Sequence, residues 1–405
     1  MSIWILALIL WVFCVLLGHK QGAIRAAISF VGIFISGLLA WPLSGLVDRV
    51  LRLICDPMTV WLISPIVAFV ILLIIFKWVG FTVHRKVRVH YQYARDEIRL
   101  AWWLRVNGRV GLAIGFLNAF LYLVLISVPI YNLSYWTLQI APSDGEKFQY
   151  NFLNRLGRDL DATGMSKIAC AIDPLPVNYF KTADLAGLLR QNPQLGGRLA
   201  AYPPFLSLAE RDDFKNLAQD PSFMGPWQNH GPFDQLWSGS QIQFLWKSQT
   251  TVDMVRGLVE ANLDDLTAYL HTGQSAKYDT EPILGRWDVS VMDSLHELLK
   301  TRANVPSNEM EAMRALWDHA YSNTVFVAAS DNSAYLRNFP LITAETNRAT
   351  SFTTVSLQGT WQNNGNYQIT LAGSGANKTA TGSIDDSGLT LKIGSDRLIL
   401  HHESR

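Results

Sequence analysis

The sequence predicts a membrane-embedded, all-α four-helix bundle. An exported helical region follows, and then a β-rich C-terminal domain of α+β type, arranged as a partly open barrel or a meander. Two observations carry the prediction. Four uncharged apolar stretches precede Tyr131, and none of that kind follows it in the 405-residue chain. Near the C-terminus, apolar and polar residues alternate in short segments separated by turn residues, which is typical of strands.

The four apolar stretches cover residues 3–17, 26–46, 58–76 and 110–131, within a predicted bundle of residues 1–135. None contains Lys, Arg, Asp or Glu. Because a helix satisfies its backbone polar groups internally, such stretches can lie in lipid. The first stretch is short for a span, which usually needs about 20 residues. The alternative, a buried core of a soluble protein, accounts poorly for four such stretches so close together.

Basic residues cluster in the predicted loop between the third and fourth stretches: Arg85, Lys86, Arg88, Arg95, Arg99, Arg105 and Arg109. Because short cytoplasmic loops are rich in Lys and Arg, this loop is expected inside the cell. The N-terminus and everything after Tyr131 are then expected outside. The same basic residues are expected to contact anionic lipid headgroups. A nucleic-acid patch is the other interpretation, but topology explains the cluster without it, so no nucleic-acid partner is predicted.

Small residues recur along the predicted spans and are expected to let the helices pack closely: Gly18, Gly22, Gly32, Gly108, Gly111 and Gly115. A transport path usually needs an ionisable residue within the membrane, and the four stretches have none. The glycines are therefore interpreted as packing positions. A bundle of this kind is also a candidate for self-association or for contact with other envelope proteins.

Two segments stand out at the ends of the predicted spans: residues 16–25, LLGHKQGAIR, and residues 107–119, NGRVGLAIGFLNA. Both resemble segments of the colicin V production protein (CvpA-like) family. The resemblance covers about residues 1–135. It implies a bacterial inner-membrane protein linked to toxin production and envelope maintenance, with no assigned reaction. Some proteins with a related membrane part carry a trypsin-like protease, but this chain lacks a Gly-Asp-Ser-Gly-Gly run.

The exported part is predicted to divide in two. Residues 144–280 indicate short helices broken by proline, and residues 282–405 indicate mainly strands. Gly-x-Trp segments that contain Trp287 and Trp361 resemble small lipocalin-like β-domains of bacterial exported proteins. A barrel of about eight strands can hold one small ligand. The two tryptophans therefore either line a pocket for a lipid or apolar ligand or, as the favoured alternative, fill a solid core.

Motifs for catalysis are lacking. The sequence contains no Cys-x-x-Cys, His-Glu-x-x-His or P-loop pattern, so no enzyme, cofactor or metal is predicted. His401 and His402 are adjacent on a predicted strand and would point to opposite faces. Asp264 and Asp265 are interpreted as a solvated helix face.

Two cysteines, Cys55 and Cys170, both fall outside the membrane on the predicted topology. Disulfides persist there, so the pair is a candidate bridge. Two hypotheses for function remain open. The first is a membrane scaffold or envelope factor without catalysis. The second is a membrane-anchored protein that binds a lipid or apolar small molecule through its β-domain.

Overall fold

The computed structural model describes residues 2–53, 57–93, 97–143, 145–300, 306–346, 349–373, 376–385, 388–394 and 396–403. The chain forms two compact units, Met1–Ala183 and Asp184–Arg405.

Four long helices form the bundle of the first unit: α1 (Ser2–Gln21), α2 (Ala23–Leu51), α3 (Pro57–Gln92) and α4 (Glu97–Ile140). All four are long and apolar enough to cross a membrane. The chain is therefore a multi-span membrane protein, as predicted. Helix α1 packs mainly on α4, α4 also packs on α2, and α2 packs on α3 along much of its length.

In the residues that the structure describes, most of the basic segment between the third and fourth spans is helical rather than a loop, which corrects the sequence-based expectation. Helix α3 has 36 residues and α4 has 44, so they measure about 54 and 66 Å, against about 30 Å of hydrocarbon. Both helices therefore continue well past their apolar stretches. Charged residues end an apolar stretch but do not end a helix, and no proline occurs between Lys77 and Gln92. We call this part of the bundle the basic end.

Beyond the far end of α4, the first unit continues with α5 (Phe148–Thr163), α6 (Met165–Ile172) and the start of α7 (Val177–Gln191). Helix α5 folds back along α4. The Asn154 amide donates to the Ala141 carbonyl at 2.7 Å, and Gly157 lies against Ser134. Aromatic rings surround this end of α4: Tyr131, Tyr135 and Trp136 pack with Tyr179 and Phe180. We call it the aromatic end.

The second unit begins with short helices, as predicted for the middle of the chain. After α7 these are α8 (Leu195–Ala201), a 3-10 turn (Pro203–Phe205), α9 (Leu206–Ala209), α10 (Asp212–Gln219), α11 (Pro221–Gln228), α12 (Phe233–Ser238), α13 (Ser240–Lys247) and the long α14 (Gln249–Thr272). Leu263, Leu266 and Leu270 of α14 are buried and pack with Tyr202 and Tyr269. The apolar stripe of α14 therefore forms the core of this helical part.

The C-terminal part is a closed barrel of eight antiparallel strands: β1 (Gly285–Val289), β2 (Val325–Ala328), β3 (Ser333–Thr346), β4 (Ala349–Asn363), β5 (Tyr367–Gly373), β6 (Ala376–Asp385), β7 (Gly388–Ile393) and β8 (Asp396–His402). Helices α15 (Val291–Lys300) and α16 (Ser307–Tyr321) connect β1 to β2. The β-rich domain is confirmed, and its barrel is closed rather than partly open. Closure comes from β1 pairing with β8, where Trp287 lies opposite His402.

Strand β6 carries no obvious signal in the sequence, because its inward positions are small. Ala380 and Gly382 occupy two of them. A Cβ at Gly382 would lie 3.3 Å from Leu389 and 3.4 Å from Tyr367, so the neighbouring strands fill the space that a larger side chain would need. The expected alternation of large apolar residues is therefore missing from this strand.

The helical part joins the outer face of the barrel within the second unit. Leu206 of α9 is fully buried against Val327 and Ala329. Beside it, the carboxylate of Glu210 is 2 % exposed and interacts with three basic side chains. Arg286 on β1 lies 3.4 Å away, Lys215 on α10 lies 3.5 Å away, and Arg337 on β3 is also in contact. A buried charge centre therefore links the helices to two barrel strands.

Candidate functional site at the basic end of the bundle

Residues 16–25 and residues 107–119 lie against each other at the basic end. A Cβ added to Gly18 would lie 2.9 Å from the Cα of Gly115 and would also collide with the carbonyl oxygen of Gly111. A Cβ on Gly111 would lie 2.9 Å from the carbonyl carbon of Gly22. Only glycine allows α1 and α4 to approach this closely, because their backbones are in direct contact.

Asn107 of α4 provides the N-terminal cap of α2. Gly22 precedes α2 with a φ of 81° and has no capping side chain. The side-chain oxygen of Asn107 accepts a hydrogen bond from the backbone N–H of Ala23 at 2.9 Å. Nearby, His19 Nδ1 lies 3.3 Å from the Gly108 carbonyl oxygen. The end of α1, the Gly22 turn and the start of α2 therefore meet α4 at one place, and sequence reasoning had not assigned this role to Asn107.

Replacing Asn107 with Ala is expected to lower the stability of the bundle by about 1 kcal/mol, since loss of a capping side chain usually costs that much. The measurement is thermal unfolding of the full chain in lipid nanodiscs. Thr82→Ala is the matched control, because the Thr82 hydroxyl bonds only within its own helix, to the Trp78 carbonyl. Equal melting temperatures for Asn107→Ala and Thr82→Ala would contradict the capping role.

Gly32 performs the same packing function between α2 and α3. A Cβ there would lie 2.5 Å from the Cβ of Phe76. The six predicted packing glycines thus fall into two contacts. One, between α1 and α4, uses Gly18, Gly22, Gly108, Gly111 and Gly115, and the other uses Gly32.

The predicted basic residues lie on the helical extensions of α3 and α4. Arg85, Lys86 and Arg88 are exposed on α3, and Arg105 and Arg109 are exposed on α4. Arg99 also lies on α4, whereas Arg95 lies outside the described residues. The exposed basic side chains leave their charges available to headgroups or solvent at the place where α3 and α4 leave the apolar layer.

Beneath this exposed layer lie two partly or fully buried basic residues, Arg25 and His84. The guanidinium of Arg25 stacks on Phe81, 4.6 Å from the ring centroid. His84 is 9 % exposed, lies 6.1 Å from the Trp103 ring, and is within electrostatic range of Arg25 and Arg88. Among the described residues, the buried Nε of Arg25 and Nδ1 of His84 have no hydrogen-bond partner. An anionic group at this position would accept a hydrogen bond from the Arg25 guanidinium and offset its charge.

The chain matches no known protein family model, no curated protein and no solved structure. Its site is therefore interpreted from its own residues.

The barrel tryptophans lie in a packed interior. Trp287 is 4 % exposed and Trp361 is 6 % exposed. Their indole N–H groups donate to the carbonyls of Ile283 at 2.8 Å and Ala329 at 3.0 Å. Large neighbours, including Phe326, fill the surrounding space. In the part of the barrel that the structure describes, both tryptophans belong to the core, and the surface depressions beside Asp220 and beside Arg314 are lined by other residues.

The predicted cysteine pair falls partly outside the described residues, because Cys55 is not among them. Cys170 is exposed on α6, and its thiol interacts with the hydroxyl of Tyr131. The bridge therefore stays a prediction. Cys14 is buried in the first span.

His401 and His402 have different partners, as their places on one strand predict. His401 Nε2 lies 2.7 Å from Asp293, while His402 Nδ1 lies 2.8 Å from the Glu403 carbonyl oxygen. Asp293 also accepts a hydrogen bond from Ser290 at 2.5 Å, close to the start of α15. In the ranges that the structure covers, no group of three His, Cys, Asp or Glu residues could hold a metal ion.

Asp264 and Asp265 differ, which corrects their interpretation as one solvated face. Asp264 is exposed, but Asp265 is partly buried. Its carboxylate accepts hydrogen bonds from the Tyr202 hydroxyl at 2.7 Å, the Ser275 hydroxyl at 2.6 Å and the Lys277 backbone N–H at 3.3 Å. Asp265 therefore fixes the segment between α14 and the barrel. These partners are 10 to 63 residues away in sequence, so no local pattern reveals them.

Asp265 gives the second unit an acid-sensitive contact. Partial burial raises the pKa of this carboxyl, but hydrogen bonds from Ser275, Tyr202 and the Lys277 backbone outweigh that effect and hold the pKa below 3.8. A lowered folded-state pKa adds stability above the ordinary pKa, and this stability is lost as the pH falls through the folded value.

We therefore expect Asp265→Asn to destabilise the protein by about 1–2 kcal/mol at pH 7, because the amide presents a donor to groups that need an acceptor. The difference from wild type should shrink below about pH 4. The measurement is thermal unfolding across this pH range, with exposed Asp264→Asn as the matched control. A difference that does not change with pH would contradict this role.

Proposed function

We propose that this chain is a non-enzymatic bacterial inner-membrane protein of the colicin V production type. In this proposal it acts as a scaffold in envelope maintenance and toxin production, with its N-terminus and the part after residue 131 outside the cytoplasm. The observation that carries the proposal is the mutual packing of the two family-like segments. The close glycine contact and the Asn107 cap hold the two segments against each other.

The attachment of the helices to the barrel in the second unit supports a scaffold role. The Glu210 charge centre and the Leu206 contact join the helices to the barrel, so a partner would meet one continuous surface. The packed barrel core favours recognition on the outer surface over an apolar ligand held inside.

The partly buried guanidinium of Arg25 at the basic end favours contact with anionic lipid headgroups. Arg25 presents a buried nitrogen that an oxygen of a phosphate would satisfy. We expect the Arg25→Gln variant, purified in mild detergent, to retain less anionic lipid than wild type in native mass spectrometry. Arg155→Gln, on exposed α5, is the control. Equal retention by both variants would count against this contact.

The proposed function is tested by deleting the gene in its source bacterium and restoring it as wild type or as Gly111→Leu. We expect the deletion to raise sensitivity to detergent and to reduce toxin release. Wild type should restore both, whereas Gly111→Leu should restore neither. A Gly45→Leu variant, altered where nothing lies within 4 Å of the added Cβ, should restore both. A deletion strain with a normal envelope and normal toxin release would overturn the proposal.

Orientation has its own test. A periplasmic reporter joined after Arg405 of the full chain should be active, and a cytoplasmic reporter at the same point should be silent. The reverse pattern would overturn the proposed direction of the bundle.

A further inference from the structure

The first span has a short apolar stretch. Residues 3–17 cover about 22 Å, against a hydrocarbon thickness of about 30 Å, although α1 as a whole is long and apolar enough to cross a membrane. The C-terminal part of α1 is fixed at the basic end, where Gly18 lies against Gly111 and Gly115. The N-terminus of α1 lies at the opposite, aromatic end of the bundle, where α1 contacts α5.

The hairpin of α5 and α6 lies at the N-terminus of α1. The carboxylate of Asp159 on α5 accepts a hydrogen bond from the backbone N–H of Ile3 at 3.3 Å. A negative group at a helix N-terminus stabilises it, so Asp159 caps α1 from another helix. Gly157, two residues earlier, packs so tightly on Ser134 that a Cβ there would lie 2.5 Å from the Ser134 Cβ. The hairpin is therefore held at the level of the outermost turns of α1 and α4.

Helix α6 lies beside the last apolar residues of α4. Cys170 of α6 interacts with the hydroxyl of Tyr131, and Asp173, just after α6, accepts a hydrogen bond from the Asn132 amide at 2.9 Å. Tyr131 is the last residue of the fourth apolar stretch. Since aromatic residues favour the boundary between lipid and water, these contacts place α6 at that boundary.

The outer face of α6 is apolar. Ile168 is 41 % exposed and Ile172 is 48 % exposed, while Ala169 is buried against the bundle. Lys167, next to Ile168, is also exposed. At the boundary of a bilayer, the isoleucines would meet acyl chains, and the long stem of Lys167 would let its ammonium reach the headgroups. This face continues the lipid-facing surface of the spans.

We propose that α6 is an interfacial helix that lies in the bilayer surface at the aromatic end, with Ile168 and Ile172 in lipid. The α5–α6 hairpin then lies beside the N-terminus of α1, and Asp159 closes that N-terminus at the headgroup layer. The occupant of the apolar face is lipid of the same bilayer. The segment after the fourth span thus adds to the membrane domain before the chain leaves the surface.

Spin labels test this placement in the full chain in nanodiscs. Single cysteines are placed at Ile168, Ile172 and Gln149, the last being an exposed polar position near the start of α5. The background carries Cys55→Ser and Cys170→Ser, and it keeps Cys14, which is buried. Labels at Ile168 and Ile172 should collide more often with oxygen than with a water-soluble nickel chelate, and the label at Gln149 should show the reverse.

Two outcomes would overturn the proposal. Nickel collisions at Ile168 and Ile172 as frequent as at Gln149 would place α6 in water. Low collision rates with both reagents would show that protein covers the face. Should the cysteine-replaced background fail to fold, diazirine-bearing lipid and the unaltered chain serve instead. Photoadducts within α6 are expected, and adducts confined to α1–α4 would contradict the placement.

Discussion

Glu210→Ala is expected to produce the largest loss of stability, about 3–5 kcal/mol, because removing one member of a buried ion pair leaves the others without a counter-charge. The Glu210 carboxylate is 2 % exposed, and its partners Arg286, Arg337 and Lys215 are about one-third exposed or less. Thermal unfolding of the full chain measures the loss. The effect should appear in the transition of the second unit, since all four residues belong to it.

Glu260→Ala is the matched control for this prediction. Glu260 pairs with Arg256 on α14 at 2.7 Å, but the two side chains are 51 % and 70 % exposed. Exposed pairs one helical turn apart contribute about 0.3–0.5 kcal/mol. A further variant, Glu210→Gln, keeps the shape and removes the charge, so it should be nearly as damaging as Ala. A Glu210→Ala protein no less stable than Glu260→Ala would show that the charge centre is not structural.

Gly111→Leu is expected to separate α1 from α4 and to cost about 3 kcal/mol, at the upper end of the usual penalty for overpacking. The Cβ alone would collide with the Gly18 carbonyl oxygen and lie 3.0 Å from the Ala23 nitrogen. Both are backbone atoms, so no rotamer change relieves the contact. The expected result is a lower melting temperature in nanodiscs and loss of the Asn107 cap, because Asn107 lies one turn away on the same helix.

Gly45→Leu controls for the change of residue type. Gly45 lies within α2, and a Cβ there would meet nothing within 4 Å. Because leucine also has the higher helix propensity, this variant should be as stable as wild type or slightly more stable. Equal losses for the two variants would mean that any added side chain in the bundle is harmful, and the specific α1–α4 contact would lose its support.

The membrane bundle was largely predictable from the sequence, because lipid imposes a long uncharged helix on every span. The ends of the helices were not predictable from the sequence. Lys77 and Arg109 bound the apolar stretches, yet nothing in the sequence around them stops a helix, so α3 and α4 run on beyond the expected boundaries. The packing glycines were identifiable by type, but their partners were not, since Gly18 and Gly111 are far apart in sequence.

Prediction of the barrel from the sequence was limited in a similar way. Strands with alternating large residues, such as β5 and β7, were evident, while β6 was missed because small residues such as Ala380 face inward. Closure through β1 and β8 depends on pairing across more than one hundred residues, which a local pattern cannot report. The same holds for Glu210 and Asp265. Their partners come from other elements, so only the folded chain reveals what these carboxylates do.

The side chains that cap α1 and α2 are synthesised long after the helices that they cap. The backbone N–H of Ala23 donates to Asn107, which is 84 residues downstream, and that of Ile3 donates to Asp159, which is 156 residues downstream. While the ribosome is still making the later segments, the first hairpin enters the bilayer before either acceptor has been synthesised. The first two spans therefore reach their final form only after the fourth has been inserted and the α5–α6 hairpin has emerged. Assembly of this bundle is ordered in time, and its earliest part is completed last.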